Sequence, residues 1–459
     1  MTDDKRLSHF SQHTYGAWSY QKDCKTPLVI DRADGVYIYD KSGKPYIDMA
    51  SQLMCCNLGH NNRTIIEAIK KQAEKLSYIA PSFAAEVQMD VADALSSILP
   101  EGLDKCFFST SGTEANEAAL KMVRMSRKPA YKFISRYRSY HGETAGSITI
   151  TGDPRHWYAQ DARFGIEGVV YAPDCYCYRC PFGLTYGGCN IQCARYVEYM
   201  IQEENFVAAV IVEPVVGTNG RLVPPPEYFP ILREICDRHN VLLIADEVMS
   251  GWYRTGKLFA IDNWNTMPDI ITTAKGCTGA YTPAGITITS RKFAEFFETN
   301  LLEHGHTYAK HPLVMAAIPA AIGEYKKLIA KGDMPKVAAH LRNRLYELGE
   351  KHISVGDVRG IGHFYAMELV KNRKTKEPFN VKADRFTKPL TAAKVAAEAM
   401  KNGLYVVYWY DALMIAPPLI MTEAEVDAAV EKLDKALDVA DREAEDTGAP
   451  MSRSSEFVK

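Results

Sequence analysis

Residues 241–248, VLLIADEV, and residues 269–276, DIITTAKG, decide how this chain folds. Each is an apolar run of strand length that closes on charge, Asp246 with Glu247 in the first and Lys275 in the second. A lone lysine at a strand end is ordinarily a solvated one, because charge is costly to bury. The neighbouring segments argue otherwise. KCFFST (105–110) leads into EANEAALKMVRM (114–125), and AAVIVEP (208–214) is followed by EYFPILREICDRHN (227–240). Continuous apolar strands alternating with amphipathic helices predict a mostly parallel sheet covered on both faces, an α/β architecture. Ligands of such sheets gather at the carboxyl ends of the strands. Ser111-Gly112-Thr113, Glu213, Asp246 and Lys275 all stand there.

Working outward, the 459 residues are 47% hydrophobic and 24% charged, enough for two or three domains. The formal net charge of −2 gives no reason to expect nucleic acid or an acidic membrane surface as a partner. No apolar run approaches the ~18 residues of a membrane span, and MTDDKRLSHF lacks the apolar centre of a signal peptide. Eleven cysteines without such a leader point to a reducing cytoplasm. Small molecules are the expected ligands. GVYIYDKSGKPYIDMA (35–50) reads as a β-hairpin around Asp40 to Gly43, and NRTIIEAIKKQAEKLSYI (62–79) carries helical spacing. After about residue 312 long helical patterns take over, so residues 1–60 and 316–459 are expected to form a smaller α+β domain beside a large one at 61–315.

The chemistry begins at STSGTEANEA, where a Ser-Gly-Thr turn precedes a helix. Exposed N–H groups, hydroxyls and the positive helix end make a phosphate cradle, although a plain N-cap has the same sequence. Asp246 ends an apolar strand and needs a cation or strong donor, such as a protonated pyridine nitrogen. Lys275 follows 29 residues later. Phosphate cradle, buried acid and strand-end lysine match the three handles of pyridoxal 5′-phosphate: phosphate, ring nitrogen and aldehyde.

SGTEANEA, YHGETAG, EPVVGTNG, DEVMSGWYRTG, AKG, HTYAKHP and APPLIMT occur in this order. In that register the chain resembles the class III pyridoxal-phosphate aminotransferases over about residues 30–435, and the taurine aminotransferases among them through CYRCPFG. The resemblance implies fold type I, with a seven-stranded type of sheet in the large domain, and a homodimer with shared active sites. It also implies that Lys275 carries the cofactor and shuttles a proton, while Asp246 holds the ring nitrogen protonated. Val248 and Tyr140 would flank the ring, with His141 and Glu213 near it. Ser111, Gly112 and Thr113 would bind phosphate, and Thr307 would reach the phosphate of the neighbouring subunit.

One departure bears on the substrate. Many class III enzymes place an arginine shortly before the PPL motif, yet WYDALMIAPPL (409–419) has none. Anion recognition then falls to Arg155, Arg179 or Arg254; Arg155 in TGDPRHW follows YHG closely enough to reach the mouth of the site. Trp18 in YGAWSYQ is the candidate wall of the donor pocket. Cys175, Cys177, Cys180, Cys189 and Cys193 are spaced C-x-C-x2-C-x8-C-x3-C. Structural zinc is the lesser reading of that cluster, and no metal is assigned. The expected activity is transfer of an amino group from an ω-amino acid or aminosulfonate, such as taurine or β-alanine, to pyruvate or 2-oxoglutarate. A pyridoxal-phosphate isomerase, a racemase or aminomutase, is the alternative.

Overall fold

The computed structural model describes residues 3–381, 384 and 388–457. Near the amino terminus, β1 (Ile30–Asp34), β2 (Tyr37–Asp40) and β3 (Pro45–Asp48) form an antiparallel meander. Its β2–β3 turn is tied by Asp40, whose Oδ1 accepts from the N–H groups of Ser42 and Lys44. This is the hairpin expected from the alternation. Seven further strands make the central sheet: β4 (Leu103–Ser109), β5 (Lys132–Arg136), β6 (Val169–Ala172), β7 (Val207–Val212), β8 (Leu242–Asp246), β9 (Ile270–Ala274) and β10 (Gly285–Ser290). Their order is β4-β10-β9-β8-β7-β5-β6.

Only β10 runs against its neighbours. All other pairs in this sheet are parallel, so the carboxyl ends of β4, β5, β7, β8 and β9 share one edge. Every residue of β7 and β9 is buried, which is why those runs are apolar without alternation. On one face, helix Gly112–Ser126 lays Ala119, Val123 and Met122 against Phe133, Ile211, Ile244 and Ile270. On the other, Leu243, Ile271 and Ile286 join a larger core with Phe229, Trp252 and Tyr325.

The carboxyl-terminal part adds β11 (Val355–Ile361), β12 (Phe364–Asn372), β13 (Glu377–Pro378), β14 (Leu404–Tyr405), β15 (Val407–Trp409) and β16 (Ala412–Ile415). Strand β14 pairs parallel with β3, so the two ends of the chain share a sheet. Val36, Ile47 and Met49 from the first share a core with Leu341, Leu345, Met367, Val395, Leu413 and Leu433 from the second. The smaller α+β domain is thus built from both termini. Helix Pro312–Lys331 buries Val314, Ile318, Ile322 and Tyr325 in the core of the large domain, against helices Arg63–Lys75 and Glu86–Ser96.

Candidate active site

A cavity of about 480 Å3 opens at the shared edge, lined by Ser111, Gly112, Thr113, Tyr140, His141, Glu213, Asp246, Val248 and Lys275. The sequence distributes these residues over some 165 positions; the parallel sheet delivers them to one place because each follows a strand that points the same way. Two close approaches fix its walls. A Cβ on Gly112 would lie 2.6 Å from Val248 Cγ1, and one on Gly285 would lie 2.0 Å from the carbonyl oxygen of Ser111. Only glycine lets β8 and β10 come this near to the loop after β4.

Ser111 is the N-cap of helix Gly112–Ser126, accepting from the Glu114 N–H at 3.2 Å. Its hydroxyl therefore serves the helix, while the N–H groups of Gly112 and Thr113 are first-turn donors without an intrahelical acceptor. Glu114 would compete with an anion there, but its carboxylate is engaged by the Thr110 N–H and hydroxyl, both at 2.6 Å. Thr282, on the opposite wall, has a buried hydroxyl without a hydrogen-bond partner among the described residues. An N-terminal helix end and an unsatisfied hydroxyl facing one space suit a phosphate group.

Asp246 is 3% exposed and held by three groups. Its Oδ1 accepts from the Val248 N–H at 2.9 Å, its Oδ2 accepts from Asn116 Nδ2 at 2.8 Å, and His141 Nδ1 lies 2.7 Å from Oδ2. Asn116 is oriented in turn by the Thr272 hydroxyl, which donates to its Oδ1 at 2.6 Å, and by the His141 carbonyl. A carboxylate fixed from behind in this way presents a set direction to a cationic partner in front. Sequence reading placed His141 at the ring and overlooked Asn116; SGTEANEA contained the signal, a buried polar residue one helical turn after Gly112.

Lys275 sits directly after β9 with φ at +45°, in the left-handed region that L residues avoid. Burial pushes its ammonium below the ordinary lysine value, against the pull of Cys55, Asp246 and Glu213. Arg221, fully buried and bonded to the Gly217 carbonyl, adds to the downward push. No sequence signal marked Arg221. Cys55 also lines the cavity, its thiol held below the ordinary range by a hydrogen bond with Cys56. Glu213 has both oxygens occupied: Oε1 accepts from the Tyr140 N–H at 3.0 Å and Oε2 from the Gly217 N–H at 2.6 Å. Burial raises its carboxyl.

The two expected substrate residues sit beyond Tyr140. Arg155 stacks between Tyr140, 3.7 Å from the ring centre, and Trp409, 4.4 Å away. Its Nε lies 3.0 Å from both oxygens of Asp153, and Nη2 donates to Oδ2 as well. Trp18 is 58% exposed and donates its indole N–H to Glu143 Oε1 at 3.0 Å, three residues after Tyr140. Thr307 does not line the cavity; it is exposed, and its carbonyl accepts from the Tyr78 hydroxyl at 3.0 Å. Arg254 is spent inside the protein on Asn57 Oδ1 at 2.6 Å, Ser51 Oγ and the Pro417 carbonyl. Arg179 donates to Glu368 Oε1 at 2.6 Å, docking the cysteine loop on β12.

The five cysteines of that loop line one space of only about 20 Å3. Among the described residues the one metal-ligating group of three is His352, Asp438 and Asp441, not the cysteines. Burial pushes the Cys175 thiol up to about 11 and the Cys177 thiol up to about 12. The loop reads as packing between the two domains.

The family profile described as Aminotransferase class-III matches residues 19–437. A putrescine–pyruvate aminotransferase of Pseudomonas aeruginosa is 32% identical over 90% of this chain and 91% of its own length. A leucine/methionine racemase of Thermococcus litoralis is 33% identical over 90% of each chain. Among solved structures, a taurine:2-oxoglutarate aminotransferase from Bifidobacterium kashiwanohense, in complex with PLP and glutamate, superimposes with a TM-score of 0.90 at 34% identity, covering 96% of this chain and 99% of that one. The chain belongs to the class III aminotransferases, a family of fold type I enzymes that use pyridoxal 5′-phosphate.

Proposed function

We propose that the protein transfers the amino group of an ω-amino acid or aminosulfonate, of the taurine or β-alanine type, to a 2-oxo acid by a ping-pong sequence. The observation that carries this reading is the convergence of Lys275, Asp246 and the helix end at Gly112 on one cavity. Bound pyridoxal phosphate supplies an electron sink for negative charge at the carbon that bears the amine. Gly112 and Thr113 hold the phosphate through their N–H groups, with Ser111 setting the helix end. Asp246, braced by Asn116 and His141, holds a proton at the ring nitrogen. Val248 and Tyr140 confine the ring, and Glu213 keeps the Tyr140 backbone in place.

Lys275 is the residue that holds the cofactor's aldehyde carbon and the base that takes and returns the substrate's carbon-bound proton. Its lowered proton affinity suits both tasks, since only the neutral amine attacks or accepts a proton. Arg155 and Trp18 recognise the donor's acid end at the mouth. Thr307 belongs to the neighbouring subunit's site in a homodimer; exposed Tyr78 and Tyr308, stacked edge to face beside it, offer apolar surface for that contact. The division at residues 60/61 and 315/316 is proposed; two separate cores support a two-domain split, while helix Pro312–Lys331 keeps its buried face in the large core as far as Tyr325. No helix among the described residues is long and apolar enough to cross a membrane, in keeping with the proposed cytoplasmic location.

A panel of amine donors assayed with pyruvate and with 2-oxoglutarate tests the reading. Turnover with taurine or β-alanine that requires a 2-oxo acid supports it. The racemase relative favours a second reading, an isomerase on the same residues. Conversion of an amino acid without any 2-oxo acid would replace the first reading by the second.

A further inference from the structure

Lys275 opens a turn in the left-handed region, at φ +45°, with Gly276 next. A residue with a side chain keeps such a backbone only where its surroundings over-determine it. Here those surroundings are three buried side chains, Trp252, Tyr325 and Asn57, none of which lines the cofactor cavity.

Trp252 touches the turn on both sides. Before the lysine, its indole N–H donates to the Thr273 hydroxyl at 2.9 Å, and that hydroxyl donates to the Glu247 carbonyl at 3.2 Å. After the lysine, a Cβ on Gly276 would lie 2.6 Å from Trp252 Cβ and 2.7 Å from Asn57 Nδ2, so only glycine fits between them. Asn57 Nδ2 donates in turn to the Trp252 carbonyl at 3.0 Å. Trp252 stands on the loop that leaves β8 at Asp246, and its own φ is +57°. One side chain thereby sets the turn that bears the amine against the strand end that bears the acid.

Tyr325 closes the arrangement from helix Pro312–Lys331. Its ring stacks on Trp252, 5.9 Å between centres at 28°, and its hydroxyl donates to the Gly276 carbonyl at 2.8 Å. The same carbonyl accepts the Gly279 N–H at 3.1 Å, a bond within the turn. The Tyr325 hydroxyl is the bond that ties it to a distant helix.

We propose that Tyr325 and Trp252 are positioning residues for Lys275, holding its turn so that the amine meets the cofactor's aldehyde carbon and then the substrate's carbon-bound proton. The second task rests on the aminotransferase reading above; the first rests on cofactor binding alone. Neither side chain reaches the reacting atoms, and both act through the backbone around Lys275. Misplacing a reacting group by about 1 Å slows a reaction by up to about a hundredfold.

Tyr325→Phe removes the hydroxyl and keeps the ring on Trp252, and Trp252→Phe removes the N–H to Thr273. Growth of the visible band, when pyridoxal phosphate is added to the full chain stripped of cofactor, reports attachment to Lys275. Pyridoxamine phosphate, which lacks the aldehyde, reports the cavity alone by calorimetric titration. Each variant should attach pyridoxal phosphate about ten- to a hundredfold more slowly, while the dissociation constant for pyridoxamine phosphate changes less than about twofold. In turnover, kcat should fall by a similar factor with the donor's KM unchanged. Because both groups hold one turn, the double variant should be within about threefold of the slower single one. Attachment at the wild-type rate in Tyr325→Phe, or equal weakening of both cofactor forms, would overturn the positioning role. Losses that multiply in the double variant would overturn the shared clamp. If the wild type attaches the cofactor and transfers an amine to neither acceptor, the aminotransferase reading fails instead, and the attachment rates still decide the role of Tyr325.

Discussion

The cofactor cavity and a second cavity of about 230 Å3, lined by Arg138, Arg179, Arg359, Glu368 and Trp409, differ in how their charges are held. In the first, Asp246 is gripped by the Val248 N–H just after β8, by Asn116 on the helix after β4 and by His141, and among the described residues Lys275 has no acid bonded to it. In the second, Glu368, Asp357, Arg179 and Arg359 already satisfy one another. In the first, one substitution removes the function. In the second, removing one member of the buried network leaves its partner's charge unpaired and destabilises the fold.

The largest effect is therefore expected at Lys275. Lys275→Ala should abolish turnover and the visible absorption of the bound cofactor, while equilibrium dialysis still detects noncovalent cofactor. Normal turnover would remove Lys275 from the chemistry. Asp246→Asn comes next, because the substitution preserves shape and removes the charge opposite the ring nitrogen. A fall in kcat of several orders of magnitude is expected; a loss under about tenfold, ~1.4 kcal/mol, would mean that another group holds that nitrogen.

Arg155→Ala should act more weakly and selectively. A charge-assisted contact contributes about 1.5–3 kcal/mol, so kcat/KM for taurine or β-alanine should drop about ten- to a hundredfold. Uncharged amines should be spared. Equal losses for both classes would assign Arg155 to holding Tyr140 and Trp409 in place. The smallest effect is expected from Trp18→Phe, which keeps the ring and loses the bond to Glu143. A change of a few-fold in KM for the donor is anticipated, since the group is half exposed and its bond to solvent competes. A change in kcat alone would mean that Trp18 acts on the chemistry rather than on donor entry.

The contrast also governs what could be read from residues alone. The cofactor cavity was legible because each of its groups follows an apolar strand, and Ser111, Glu213, Asp246 and Lys275 mark those ends in the sequence. Strands β5, β6 and β10 gave weaker signals: KFISR and VVYA are short, and GITITS alternates isoleucine with threonine. The buried threonines of β9 looked like β-branched filler, yet Thr272 orients Asn116 behind Asp246. Nothing in the sequence ties Arg138, Glu368 and Asp411 together, because their meeting depends on the docking of the small domain against the cysteine loop. The pairing of Arg155 with Asp153 is local, two residues apart, but its stacking on Trp409 spans more than 250 positions. Contacts made across domains leave no periodicity to find.

The most direct measurement is the isolated half-reaction. Holoenzyme mixed with taurine or β-alanine in the absence of any 2-oxo acid should lose its visible absorption in a single turnover, and pyruvate or 2-oxoglutarate should restore it with formation of alanine or glutamate. Retention of the visible band with every ω-amino donor, together with racemised or rearranged product from an amino acid offered alone, would contradict the account.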